Sequence, residues 1–236
     1  MHHNAIALNE QKLIMITFKP HQALDHIKPY LPASPIIVEA GAYKGKETVK
    51  LATHLPRSTV HAFEPVPEIF AQLKANTAHL PNVHCYPIAL SDKTGTTTMH
   101  LSEHPDRPGI TSQGNSLLVP KERLNLSPLI FPKTIEVSTI TLDDWASQNS
   151  IDHIDLLWLD LQGYELAVMH SSTHIFSTVQ VILTEVEFAQ AYEGQPQYPQ
   201  VRAWLESQGF TMIGKDFPDN PSWFFGNALF IKNQTS

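Results

Sequence analysis

The chain has 236 residues, 42% of them hydrophobic and 17% charged, with 16 Lys and Arg against 23 Asp and Glu and a formal net charge of −7. That is enough for one globular domain, and apolar residues spread along the whole length exclude disorder as the main state. A negative balance without a local basic patch offers nothing to hold a polyphosphate backbone, so nucleic acid is not an expected partner.

Apolar runs of strand length alternate with segments of helical period, the pattern of βαβ units around a parallel sheet. Residues 1–35 read as an N-terminal extension, with no basic region and apolar run at Met1 to Asn4 to suggest a targeting signal. The first strand is 36–40. After the Gly41 to Gly45 turn, Val49, Leu51, Ala52 and Leu55 predict a helix closed by Pro56. A second strand, 59–63, runs into Glu64, and Pro67 opens a helix with the apolar stripe Ile69, Phe70, Leu73 and Leu80. A third strand, 83–90, is interrupted by Pro87 and ends at Ser91-Asp92.

From 96 to 139 the periodicity weakens under many Pro and Gly residues. Two β-rich pieces, 96–101 and 134–140, bracket a loop insertion at about 103–132, read as a lid over the substrate because it directly precedes the next core strand. A helix at 142–148 leads to the most apolar strand, 154–161, of a kind buried on both faces. A helix at 165–176, a strand at 179–186, a helix at 199–208 stopped by Gly209, and strands at 210–214 and 227–232 complete the chain. The last two strands read as a hairpin at one sheet edge. Without a repeat or linker, residues 36–236 form one domain.

Cys85 is the single cysteine, which excludes an internal disulfide, and no Cys/His spacing of the zinc type is present, so a reducing cytoplasm is the expected location. No stretch approaches the ~18 to 20 apolar residues that a membrane span requires. The pairs His100/His104 and His170/His174 have helical spacing but read as solvated surface. Pro105 disfavours a helix at the first, and the second has no acidic third ligand nearby.

In an open α/β sheet ligands bind beyond the carboxyl ends of the strands. There Glu39 leads into Gly41, which permits a tight turn, and Gly45, which lets the next helix pack close to the strand. Glu64 follows Gly41 by 23 residues, about the separation at which an acid meets ribose hydroxyls. Tyr43 stands where the second glycine of a dinucleotide fingerprint would be and obstructs a pyrophosphate. S-adenosylmethionine has no phosphate, and Glu39 and Asp160 supply charge for its ammonium and sulfonium groups. The competing readings are an NAD-dependent oxidoreductase, disfavoured by Tyr43, and a non-catalytic cofactor-binding scaffold protein.

The runs Ile37-Val-Glu39-Ala-Gly41-Ala-Tyr-Lys-Gly45, His61-Ala-Phe-Glu64-Pro65, Ala89-Leu-Ser91-Asp92, Gly114-Asn-Ser116-Leu117 and Asp155-Leu-Leu-Trp-Leu-Asp160-Leu-Gln-Gly163-Tyr-Glu165 occur in that order. Together they resemble the FkbM-type family of S-adenosylmethionine-dependent methyltransferases, over roughly 36–232. The resemblance implies a single doubly wound, mostly parallel seven-stranded sheet, a Rossmann-like methyltransferase fold with an antiparallel last strand. It further implies O-methylation of a hydroxyl on a small molecule or sugar.

By the same resemblance, Glu39, Gly41, Ala42, Tyr43 and Gly45 approach the methionine part of the cofactor, and Glu64 holds the ribose. Ser91 and Asp92 lie by the adenine, and Asp160 faces the methyl-transfer site. Family members often have Asp at Glu39, Asn at Tyr43 and an acid at Gln162, so no divalent metal is expected on Asp160, Gln162 and Glu165. A hydroxyl acceptor needs a base. The candidates are Asp160, Glu185 and Glu165, with Glu187 beside them, and the expected acceptor contacts are His104, Asn115 and Ser116.

Overall fold

Branched apolar residues dominate the runs around Val38, Leu157 and Ile182, and such residues suit strands covered on both faces. The computed structural model describes residues 15–233 and bears this out. The reading of Met1 to Asn4 and the first fourteen residues of the expected extension lie outside the described residues.

In chain order the elements are β1 (Ile16–Thr17), α1 (Ala23–Ile27), β2 (Ile36–Ala40), α2 (Lys46–His54), β3 (Thr59–Phe63), α3 (Pro67–Thr77), β4 (Val83–Tyr86), β5 (Ala89–Leu90) and β6 (Gly95–Glu103). There follow α4 (Arg123–Leu126), β7 (Ile130–Ile140), α5 (Leu142–Gln148), β8 (Leu156–Leu159), α6 (Glu165–His170), α7 (Thr173–Phe176), β9 (Val181–Glu187), α8 (Tyr198–Ser207), β10 (Phe210–Lys215) and β11 (Phe225–Lys232). None of the described helices is long and apolar enough to cross a membrane.

The main sheet has the order β1-β10-β11-β9-β8-β2-β3-β4. Seven strands are those expected; β11 runs antiparallel to both β9 and β10, and all other pairs are parallel. The eighth, β1, is two residues long and adds to the outer edge of β10. The chain steps outward from β2 through β3 to β4, then returns to β8 on the other side of β2. The switch point between β2 and β8 opens a crevice at their carboxyl ends.

One face of the sheet, with Val38, Leu157 and Ile182, packs against Trp145, Val168 and Leu205 of α5, α6 and α8. The opposite face, with Ile37, Leu156 and Val181, packs against Leu24 and Ile27 of α1 and Leu51 and Ala52 of α2. Phe18, Leu24 and Ile27, which precede residue 36, are thus buried in the domain's core.

Three local expectations are corrected. The strand expected at 83–90 is two strands: Pro87, with no N–H to donate, ends the pairing, and β5 joins a separate three-stranded sheet of order β5-β7-β6. The β-rich pieces at 96–101 and 134–140 extend to β6 and β7 and pair antiparallel in that sheet. The helix expected at 165–176 is broken at Ser171-Ser172: the Ser172 backbone leaves the helical region (φ −126°, ψ 53°), and its hydroxyl accepts the Leu142 N–H at 3.0 Å. Residues 104–129, between β6 and β7, are tied down by bridges from His100 to Ser116, Glu103 to Thr111 and Pro120 to Tyr192.

Candidate functional site

A cavity of about 260 Å³ occupies the switch point. Glu64, Pro65, Leu90 and Tyr164 line it from the β3 and β5 side, and Glu39, Trp158 and Asn227 from the β2, β8 and β11 side. Phe18, Pro20 and Ala23 of the N-terminal segment complete the second wall, and Asp160 and Gln162 stand between.

The turn after β2 brings the backbone close to the loop after β8. Gly41 has φ +84°, and a Cβ there would lie 1.9 Å from the Asp160 carbonyl oxygen. Gly41→Ala is therefore expected to cost about 1 to 3 kcal/mol through left-handed strain and strand separation. Urea denaturation checks it, and an unchanged midpoint would show that the loop yields freely. A Cβ on Gly45 would lie 2.7 Å from Leu73 Cδ1, so this glycine allows α2 and α3 to meet. Tyr43 and Gln162 have φ +48° and +51° without being glycine, and both line the cavity. Such backbone persists where surrounding structure holds it.

Six carboxyl groups crowd this region: Glu39, Glu64, Asp160, Glu165, Glu185 and Glu187. Among the described residues none of them forms an ion pair. Glu39 is 3% exposed, its Oε2 has no hydrogen-bond partner among the described residues, and burial pushes its pKa up to about 8. Glu64 accepts the Val66 N–H at 2.8 Å on Oε1, and burial pushes it up to about 7. Asp160 has an exposed side chain that lines the cavity. The enclosing protein raises its pKa against the opposing pull of the Gln162 hydrogen bond and of Arg123. Glu185 and Glu187 are held well above the ordinary carboxylate range by burial and then by neighbouring acids. A cavity with more acids than bases receives a cationic group and can accept a proton.

The expected site residues separate into three sets. Glu39, Gly41, Ala42, Tyr43, Glu64, Asp160 and Asn115 line the cavity. Gly45, Glu165, Glu185 and Ser116 support it. Glu165 Oε1 accepts the Leu161 N–H at 2.6 Å, so its side chain braces the loop after β8, and burial pushes it up to about 7. Glu185 accepts from Gln162, and the Ser116 hydroxyl donates to the Gln162 carbonyl oxygen at 2.9 Å. Ser91, Asp92 and His104 are not among the lining residues. The Tyr164 hydroxyl donates to Asp92 at 2.9 Å, so the tyrosine stands between Asp92 and the cavity. His104 lies in an adjoining groove of about 450 Å³ with Lys44 and Arg107; Tyr43 borders both spaces.

Tyr164, Trp158, Arg123 and Tyr192 join the site without being among the expected residues. Tyr164 and Trp158 lie inside the most distinctive motif and could have been found there. Arg123, at the start of the four-residue α4, and Tyr192, in the segment after β9, converge on Gln162, and neither stretch is long enough to show a periodicity. Among the described residues no group of three His, Cys, Asp or Glu is arranged to hold a metal ion. His170 rests 4.5 Å from the Trp204 ring centre.

Comparison with known proteins gives a consistent picture. A family model described as the Methyltransferase FkbM domain matches residues 39–212. The 2-O-methyltransferase NoeI of Sinorhizobium fredii is 29% identical over 162 residues, covering 68% of this chain and 67% of that protein. The 31-O-demethyl-FK506 methyltransferase FkbM of Streptomyces tacrolimicus is 26% identical over 200 residues, covering 78% of this chain and 75% of that one. Among solved structures, methyltransferase FkbM from Methylobacillus flagellatus superposes with TM-score 0.52 at 13% identity, over 84% of this chain and 44% of that chain. A putative rRNA-methylase from Clostridium thermocellum does so with TM-score 0.52 at 12% identity, over 94% and 100%. These superpositions establish the class I methyltransferase fold.

Proposed function

Because the chain belongs to the FkbM methyltransferase family, we propose that it transfers a methyl group from S-adenosylmethionine to a hydroxyl oxygen of a small molecule or sugar. The observation that carries this reading is the unpaired, buried Glu39 oxygen beside the Gly41 turn, in a cavity that also holds Glu64 and Asp160. These residues fit the cofactor: Glu39 would meet its ammonium, Gly41 leaves room for close approach, Glu64 would accept ribose hydroxyls, and Asp160 would offset the sulfonium charge. Tyr164, hydrogen-bonded to Asp92, would border the adenine. The relatives named as O-methyltransferases support hydroxyl as the acceptor group.

When bound, the cofactor supplies a methyl group on a positively charged sulfur, ready for in-line displacement. The chain's own task is to position the acceptor and take its proton. Asp160, open to the cavity, is the base, with Glu185 behind it. Met99 and Leu117, from β6 and the segment after it, add apolar wall that excludes water. The single cysteine, Cys85, fits action in a reducing compartment such as the cytoplasm.

The test combines calorimetry with S-adenosylmethionine, S-adenosylhomocysteine and NAD with labelled methyl transfer to a panel of hydroxyl-bearing acceptors. Selective binding of the first two and label recovered in a base-stable ether support the reading; selective NAD binding refutes it. A proton signature is also expected. Glu39 and Glu64 titrate near 8 and 7 in the free protein, above the ordinary value of 4.5. Their extra protons favour the free fold at low pH, and that contribution is lost as pH rises through 7 to 8. A cationic ligand favours the ionised forms, so binding near pH 7 should release on the order of one proton. Calorimetry in two buffers of different ionisation heat reads this, and proton uptake would contradict it.

A further inference from the structure

Gln162 occupies the centre of the reaction region, and its side chain is fully committed. Nε2 donates to Asp160 Oδ1 at 2.8 Å and to Glu185 Oε2 at 2.7 Å, using both amide hydrogens. Oε1 accepts from Arg123 at 3.4 Å and faces the Tyr192 hydroxyl at 3.3 Å. Arginine can only donate, so the amide cannot be turned the other way without setting donor against donor. The backbone is left-handed at φ +51°, and the Ser116 hydroxyl holds its carbonyl oxygen. Backbone strain and side-chain bonds therefore aim one amide at two carboxyl groups.

We propose that Gln162 is a positioning residue: by bonding to both Asp160 and Glu185 it keeps Asp160 as the carboxylate facing the methyl-transfer site, ready to take the acceptor's proton. This rests on the proposed methyl transfer. In that step the O–H bond of the acceptor breaks and the proton arrives on an Asp160 oxygen. The acceptor oxygen gains the methyl carbon, and the C–S electron pair returns to sulfur.

The need for such a clamp follows from the charges around Asp160. Burial and Glu47 on α2 disfavour its ionised form, and its charge in turn disfavours ionisation of Glu39 on β2, Glu64 after β3, Glu165 on α6, and Glu185 and Glu187 on β9. Against them stand Arg123 and the Gln162 amide, while Lys46 at the cavity rim keeps its ammonium in solvent. Removing the amide hydrogens leaves Arg123 as the remaining buried support for the charge.

The experiment uses the affinity ratio of S-adenosylmethionine to S-adenosylhomocysteine, because the first carries a sulfonium charge and the second a neutral sulfur. Measured by calorimetry from the ordinary aspartate value of 3.8 up to pH 9, the ratio rises as Asp160 ionises. Gln162→Asn suits the left-handed backbone but is one methylene shorter and cannot reach both carboxyl groups. Its half-rise should move to higher pH by at least about one unit, with an unchanged melting temperature. Gln162→Met, of similar length without donors, should shift it in the same direction and covers the case in which one variant fails to fold. Superimposable curves for folded wild type and variants, or a ratio that is flat with pH in all, would overturn the proposal while leaving cofactor binding intact. Failure of the wild type to bind either ligand would instead overturn the methyl-transfer reading and this one with it.

Discussion

Glu64→Ala is expected to weaken S-adenosylmethionine binding by about 3 to 6 kcal/mol, a hundredfold or more, since two ribose hydroxyls lose a charged acceptor worth roughly 1.5 to 3 kcal/mol each. The side chain is 5% exposed and one oxygen already holds the Val66 N–H at 2.8 Å, so its direction is set before any ligand arrives. That pre-set direction is why the loss should appear in affinity. Alanine also leaves the Val66 N–H without its partner, so Glu64→Gln, whose amide oxygen can keep that bond, serves as the companion variant. Calorimetry decides: a folded Glu64→Ala protein with unchanged affinity would make Glu64 a strand-end acid that only organises the turn into α3.

Asp160→Asn is expected to slow methyl transfer by about 10² to 10⁴-fold, the span that a positioned general base supplies, while leaving the cofactor-free melting temperature unchanged or raised. The two halves have one cause. Asp160 sits among Glu39, Glu64, Glu165, Glu185 and Glu187 without an ion pair among the described residues, so removing its charge relieves repulsion in the free protein and removes the proton acceptor in the reacting one. Single-turnover kinetics and thermal melts on the same preparation test both. A destabilised variant with full activity would assign Asp160 to the fold and move the base to Glu185.

What could be read from the sequence was whatever depended on neighbours along the chain. The strands at 36–40 and 59–63 and the helix at 142–148 have the boundaries their apolar patterns predict. Glu39, Glu64 and Asp160 reach one cavity because strand ends in a parallel sheet share a rim. What resisted reading depended on contacts across the fold. Two residues at Ile16–Thr17 are too few for an alternation, so β1 left no trace. Proline at 87 marks an interruption, but only the partner β7 decides that β5 joins a second sheet. His104 is set apart from the cavity by the path of 104–129, which bridges to β6 and to Tyr192 determine. Gln162, read as a departure from an acid, is the centre of a hydrogen-bond network visible only once Arg123 and Tyr192 are placed.

The short strand β1 ties two distant properties together. It occupies the outer edge of β10, whose unpaired backbone groups would otherwise be a template for a strand from another molecule. One residue beyond it, Phe18 turns into the core and borders the cavity, followed by Pro20 and Ala23. The segment that guards the sheet against aggregation is thus also a wall of the ligand chamber. A molecule whose N-terminal segment peels away becomes adhesive and leaky together, and a ligand that holds the wall in place protects the edge as well.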